Sequence, residues 1–271
     1  MSVENWIKKI AGVLLVIAGF APFSFADISV EGHYQGKNLI VQSPESEDGF
    51  GYCVSRITVN GQPCSASYQS SAFQIDLTEF DINLGDAVLV VLEHEEGCKP
   101  KLLNPEVLLP KSTFILNEIP CNASGLLTWS TTSESGKLNY QIEQYKWNKW
   151  IVIGEVQGNG ASGENSYSFE VSPHSGENKI RVSQTDNSGK KRISKEVTFT
   201  CNTCPEPKME KSEDGIMFES EGKPVKTKYE MFDAYGNVVK KGMNSSVECT
   251  NLKKGVYHVN YDNKYERYIN D

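Results

Sequence analysis

Leu138-Asn-Tyr-Gln-Ile-Glu-Gln-Tyr-Lys-Trp147-Asn-Lys-Trp150-Ile-Val-Ile-Gly-Glu-Val156 is the stretch that decides the fold. Leu138–Trp147 and Trp150–Val156 are rich in β-branched and aromatic residues, and two polar residues separate them. That is the pattern of two strands joined by a tight turn. Side chains alternate across a strand, so Tyr140 lies on the face opposite the one shared by Tyr145 and Trp147. Further short runs flank the hairpin at roughly ten-residue spacing: Leu126–Trp129, Tyr167–Val171, Asn178–Thr185 and Ile193–Thr198. Such spacing, with Gly, Asn, Ser and Pro between the runs, predicts a seven-stranded Ig-like sandwich over residues 112–200.

Working outward, the same texture fills the rest of the chain, and no amphipathic helix of useful length interrupts it. Residues 27–111 hold candidate strands Ile28–Tyr34, Asn38–Val41, Tyr52–Val59, Ala72–Leu77, Ala87–His94 and Lys101–Leu103. Val59-Asn60-Gly61-Gln62 is a strong hairpin signal, because Asn-Gly accepts positive φ at both turn positions. The run Ala87–Leu92 is apolar at every position, as expected of a central strand buried on both faces. Cys204-Pro-Glu-Pro207 and the polar Lys208–Asp214 read as a linker. Residues 205–271 then form a small C-terminal sandwich with strands Gly215–Ser220, Thr227–Phe232, Val238–Lys241, Ser246–Cys249 and Val256–Tyr261.

The chain opens differently. Lys8-Lys9 precede an apolar run from Ile10 to Phe20, and Ser24-Phe25-Ala26 follows. A basic segment, a short apolar segment and a small-residue cleavage pattern predict a secretory signal peptide, residues 1–26. The apolar run is shorter than the roughly 20 residues a membrane-spanning helix needs. No transmembrane segment is expected after cleavage. The fold class expected is therefore all-β: tandem Ig/fibronectin type III-like β-sandwiches after a cleaved signal peptide.

Two resemblances sharpen this. Leu126-Leu-Thr-Trp129 resembles the strand that carries the core Trp of fibronectin type III domains. The hairpin Tyr140–Val156 and the strand Lys179–Asp186 resemble the strands that follow it in that family. Near the C-terminus, Asp233-Ala-Tyr-Gly236 and then Leu252-Lys-Lys-Gly255-Val-Tyr257 resemble the sorting domain of type IX secretion cargo from Bacteroidetes. That resemblance implies that Asp233, Gly236, Leu252, Gly255 and Tyr257 belong to a sorting motif and that the secretion apparatus is a partner.

The seven cysteines are 53, 64, 98, 121, 201, 204 and 249. In an exported chain they are candidates for disulfides, and an odd count leaves at least one free or paired between chains. Cys53 and Cys98 flank strand regions and form one candidate pair; sequence leaves the pairing open. Cys201-Asn-Thr-Cys204 lacks the βαβ surroundings of a redox motif. The four histidines are isolated, so no metal is expected.

Catalytic signatures are absent from the sequence: no G-x-S-x-G, H-E-x-x-H, P-loop or dinucleotide fingerprint. Gly158–Gly163 has no helix behind it to hold a phosphate and reads as a flexible hairpin loop. Glu93-His94-Glu95-Glu96 reads as a polar loop at a strand end rather than an acid–base pair. The net charge of −8 excludes a general nucleic-acid binder. Trp147 and Trp150, at the hairpin tip, are candidate partner-binding residues if exposed. The function expected is that of a non-catalytic exported envelope or surface protein without cofactor, binding protein partners. A periplasmic accessory subunit of a secretion or motility machine is one alternative, and a carbohydrate-binding surface protein is another.

Overall fold

The computed structural model describes residues 25–271. The expected leader lies outside these residues except for its last two positions, which stand at the start of the first strand. The described chain is almost entirely strand and turn. Its apolar side chains collect in three separate cores, one for each successive stretch of chain.

The first unit contains β1 (Phe25–His33), β2 (Leu39–Gln42), β3 (Val54–Val59), β4 (Gln62–Pro63), β5 (Ala72–Ile75), β6 (Ala87–Glu95) and β7 (Lys101–Leu102). One sheet runs β1-β6-β3-β4 and the other β5-β2-β7. Between them Leu39, Val41, Ile57, Val59, Val90 and Leu92 are sealed from solvent. Burying one such side chain contributes about 1.5–3 kcal/mol, so this layer is the main source of the unit's stability. Asn60 and Gly61 have φ of 50° and 79°, the two positive values a primed hairpin turn needs. The Asn60 side chain also locks the turn onto β6, accepting from Leu89 N at 2.8 Å and donating to Ala87 O at 3.1 Å. β6 is central in its sheet but does not bury both faces. Val88, Val90 and Leu92 enter the core, while Leu89 is 37% exposed. A sandwich sheet has only one covered face, whatever the hydrophobicity of the strand.

The second unit comprises β8 (Ile115–Glu118), β9 (Leu126–Thr132), β10 (Asn139–Lys146), β11 (Lys149–Gln157), β12 (Asn165–Glu170), β13 (Gly176–Thr185), β14 (Lys191–Ile193) and β15 (Val197–Cys201). A three-stranded sheet β12-β9-β8 faces β11-β10-β13, with both β14 and β15 paired to β13. This is a fibronectin type III-like layout. Trp129 lies in the core, stacked on Tyr167 at 5.2 Å and edge-on to Tyr140 at 5.8 Å. The single run expected over Ile193–Thr198 is broken into β14 and β15. Ser194 bonds Val182 with both its amide and its hydroxyl, which interrupts the ladder. β8 was not legible as a strand, because of its residues only Leu116 packs on the core.

The third unit holds β16 (Lys208–Ser212), β17 (Gly215–Ser220), β18 (Lys223–Pro224), β19 (Thr227–Phe232), β20 (Val238–Asn244), β21 (Ser246–Glu248), β22 (Gly255–Tyr261) and β23 (Lys264–Asn270). β17 pairs with β16, β18 and β21, and the facing sheet runs β20-β19-β22-β23. Residues 208–212, read as linker, form an edge strand whose one apolar side chain, Met209, packs on the core. β23 carries no strand signal for the same reason. Among its charged and polar residues only Tyr268 is buried.

The end strands separate the units. In the second and third, the first strand pairs with the second (β8 with β9, β16 with β17), and the last pairs with the penultimate hairpin partner (β15 with β13, β23 with β22). In the first unit this is exchanged: β1 lies along β6 for nine residues, and β7 pairs with β2.

The first two units meet through glycines. A Cβ on Gly85 of the first unit would come to 3.0 Å from the Glu134 carbonyl oxygen and the Ser135 Cα of the second, and one on Gly136 would meet Pro110 and the His33 ring under 3 Å; within the second unit, one on Gly160 would approach the Gly136 carbonyl carbon to 2.5 Å. The segment around Gly158 and Gly160 is therefore a packed connection and not a flexible loop. Gln35 donates its side-chain amide to Ser135 O across the same boundary. Under it lies a buried carboxylate, Glu134. It accepts from the hydroxyls of Tyr140 (2.8 Å), Tyr167 (2.7 Å) and Thr131 (2.5 Å) and from Gly160 N (2.7 Å).

Candidate interaction site at the junction of the second and third units

The β10–β11 hairpin ends in a two-residue turn, with Lys146 opposite Lys149. Trp147 and Asn148 have φ of 54° and 59°. A bulky residue in this region is unusual and must be held by its surroundings. The Trp147 ring lies 5.4 Å from Lys146 Nζ and 5.8 Å from Lys149 Nζ. It is half-buried, and its indole nitrogen is sealed without a hydrogen-bond partner among the described residues.

Trp150 is half-buried as well. The Arg181 guanidinium covers its ring at 4.1 Å, and Tyr145 meets it edge-on at 5.3 Å. Arg181 Nε in turn donates to Glu143 Oε2 at 2.6 Å, and Lys191 Nζ donates to Oε1 at 2.7 Å. Burial of Glu143 works against its charge. The hydrogen bonds from Lys191 and Arg181 outweigh that and hold its carboxyl below the usual carboxylate range. The two tryptophans thus do not form one exposed aromatic patch. Trp150 is wrapped by its own sheet, while Trp147 stands at the boundary with the third unit. Glu143, Arg181 and Lys191 carried no sequence signal, because strands far apart in the chain bring them together.

Several contacts tie the third unit to this boundary. Lys149 pairs with Glu230 at 3.2 Å. Asp262, 5% exposed with φ of 47°, accepts from Ser175 N at 3.3 Å and from the Ser175 hydroxyl at 2.5 Å, while its own amide donates to Thr227 Oγ1 at 3.0 Å. Cys201 and Cys204 are joined, their Cα atoms 5.5 Å apart, at the point where the chain leaves β15. Lys264 then donates to Glu206 Oε1 at 2.9 Å and to Pro207 O at 3.0 Å, so the expected linker is held along the third unit.

Two basic groups are buried here. Lys146 is 7% exposed and has no hydrogen bond or salt bridge among the described residues. Burial pushes its ammonium down to about 8, against the pull of Asp262. His174 is 2% exposed; its Nδ1 donates to Ser175 O at 2.8 Å, and Nε2 has no partner among the described residues. Burial also lowers the His174 pKa. Beside Lys146 opens a cleft of about 510 Å³ between the two units.

The sorting-like residues lie in the third unit, where each has a place in the fold. The Asp233 carboxylate is exposed and accepts from Tyr235 N and Asn237 N, both at 2.9 Å, closing the turn in which Gly236 adopts φ of 85°. Hydrogen bonds from Asn237 lead in holding that carboxyl below its ordinary range. Leu252 packs against the core, and Asn270 holds its carbonyl at 3.0 Å. Gly255 opens β22. Tyr257 is buried and returns its hydroxyl to Lys253 O at 2.9 Å. The Leu-x-x-Gly-x-Tyr spacing thus places a plug, a turn and a tyrosine clasp on one loop.

In the first unit, the sulfurs of Cys53 and Cys98 are joined across Cα atoms 6.2 Å apart; Cys64, Cys121 and Cys249 are free. Glu93, His94 and Glu95 lie within β6, not in a loop. Alternation sets His94 on the face opposite Glu93 and Glu95: Glu93 pairs with Arg56 at 3.3 Å, His94 is buried, and Glu95 accepts from Ser46 at 3.2 Å. Among the described residues, no group of three or more His, Cys, Asp or Glu is placed to hold a metal ion, and no helix is long and apolar enough to cross a membrane.

No protein-family model matches the chain, and no curated protein matches it. Solved structures show distant likeness. A tetra-tandem repeat from the extending region of a large adhesion protein is 11% identical, covers 91% of this chain and 75% of that one, and has a TM-score of 0.32. The FN1–FN3 domains of chicken CNTN1 are 11% identical over 91% and 95% of the two chains, with a TM-score of 0.24. A Lactobacillus rhamnosus β-glucuronidase is 12% identical over 75% of this chain and 39% of its own, with a TM-score of 0.20.

Proposed function

We propose that this chain is an exported, non-catalytic protein of the cell envelope or cell surface, which holds sandwich units in fixed relation and presents them to protein partners. The observation that carries this reading is the pair of built junctions. Glycines bring the first two units into backbone contact, and the second and third are joined by the Ser175–Asp262 and Lys149–Glu230 contacts beside a disulfide. Ordinary linkers leave neighbouring domains free to move, so such contacts support a spacer or docking role. The Cys53–Cys98 and Cys201–Cys204 bonds fit an oxidising compartment.

The third unit is, on this reading, the export signal or the dock to the envelope, through Asp233, Gly236, Leu252, Gly255 and Tyr257. Its integration against the second unit favours a second reading, a periplasmic accessory subunit that keeps this unit for interaction. Fractionating the native host and weighing the intact protein separates the two. Surface or medium protein lacking residues 205–271 supports sorting. A chain running from about Asp27 to Asp271 in the periplasmic or outer-membrane fraction supports the accessory subunit. Protein found only in the cytoplasm, with residues 1–26 still attached, refutes both.

A further inference from the structure

The cleft between the second and third units contains a cation that has no counter-ion among the described residues. Lys146 is more than nine-tenths buried at the end of β10, lines the cleft, and among the described residues has the Trp147 ring within cation–π reach. The acid whose charge acts on it, Asp262, already has both oxygens engaged by Ser175. Lys226 and Lys228 line the same cleft from the third unit, and Glu170 lines it from the second. Three ammonium groups therefore face two carboxylates, one of which is occupied. The remaining walls are largely apolar, with Ile153, Phe169, Pro173, Pro205 and Met243 among them. A cleft of about 510 Å³ has the size of a small-ligand site.

We propose that this cleft binds a carboxylate carried on an apolar body, with Lys146 pairing to the carboxylate and Lys226 and Lys228 guarding the entrance. The desolvation of the Lys146 ammonium is already borne by the fold, so an entering carboxylate gains a strong, charge-assisted hydrogen bond without that cost on the protein side. The apolar walls take the body of the ligand and select against a bare inorganic anion. The site concerns the boundary of the two units and holds whether or not the third unit directs export.

The test is a titration of the isotope-labelled chain, disulfides intact, followed by amide resonances. The probes are N-acetyl-leucine, its neutral amide, and a short peptide ending in a free leucine carboxylate. The expected result is movement of resonances around Lys146 and Thr227–Lys228, with the neutral amide binding about tenfold or more weakly, as loss of a charged hydrogen bond requires. Tighter binding of the peptide than of N-acetyl-leucine assigns the ligand to a protein chain terminus; equal or weaker binding assigns it to a free organic acid. Lys146→Met should abolish the response while leaving the spectrum dispersed. Should that variant fail to fold, the double variant of the exposed lysines, K226Q with K228Q, carries the test and should weaken binding several-fold. Equal binding of acid and amide, no response at millimolar probe, or unchanged affinity in the variant that folds overturns the proposal.

Discussion

Ser175 and Asp262 lie 87 residues apart in sequence and in different sandwiches, yet the Asp262 carboxylate accepts both the backbone amide and the hydroxyl of Ser175. Asp262 also stands in the left-handed region that Asp and Asn tolerate best, and its amide is fixed by Thr227 Oγ1. One residue thus ends a strand of the third unit and fastens that unit to the second. Asp262→Ala should lower stability by about 1–3 kcal/mol, because it strands two donors and places alanine at positive φ. Asp262→Asn, which suits that backbone, should cost less. Thermal melting ranks the two, and limited proteolysis between Cys201 and Pro207 should accelerate in the same order.

The buried Lys146 sets a pH dependence. Its folded pKa is depressed to about 8 from 10.5. Below about 8 it is charged in both states. Between about 8 and 10.5 the unfolded chain binds a proton that the folded chain lacks, so stability rises with pH in that window, by at most about 3 kcal/mol. Tyr140, Tyr167 and Tyr261 are pushed up by burial, so above their ordinary range the unfolded tyrosines ionise first and stability falls again. Denaturant unfolding across this range should show the rise, and Lys146→Met should flatten it. A flat profile in the native chain removes the buried ammonium from the account.

Glu134 is the polar keystone of the second core, with four donors converging on it. Glu134→Ala leaves those donors buried and unsatisfied and should cost about 3 kcal/mol or more, measured by denaturant unfolding. Tyr167→Phe removes one donor and should cost about 1 kcal/mol.

The two disulfides should differ in effect. Cys53–Cys98 spans 45 residues of sequence and Cys201–Cys204 spans three. Loop-closure entropy assigns about 4 kcal/mol to the first and about 2 kcal/mol to the second. Paired Cys→Ser variants, compared by unfolding midpoint, should follow that order.

Tyr257→Phe tests the sorting-like motif. It removes only the hydroxyl that clasps Lys253 O, so it should destabilise by about 1 kcal/mol while leaving the buried ring in place. If the motif is read by an export apparatus as a folded loop, surface delivery should fall more than stability does. Delivery that tracks stability alone assigns the motif to folding.

Local chemistry determined much of this protein without help from long-range contacts. Asn60-Gly61 dictates a primed turn because few other pairs accept two positive φ values. Period-two alternation put Tyr140 and Tyr145 on opposite faces, and the compact apolar runs marked most strands, because both depend only on neighbours in the chain. β16 and β23 carry no such mark, since edge strands bury so few side chains that their sequences look like loops.

The tertiary structure alone decided the rest. Whether β1 or β7 lies beside β6 depends on which end strand covers which side of the core, and no local pattern records that choice. The half-burial of Trp150 comes from Arg181, which β13 brings across from a distant part of the chain. Glu134, Lys146, Ser175 and Asp262 looked like ordinary surface polar residues, because burial and pairing across 87 residues of separation are properties of the packed molecule and not of any stretch of sequence.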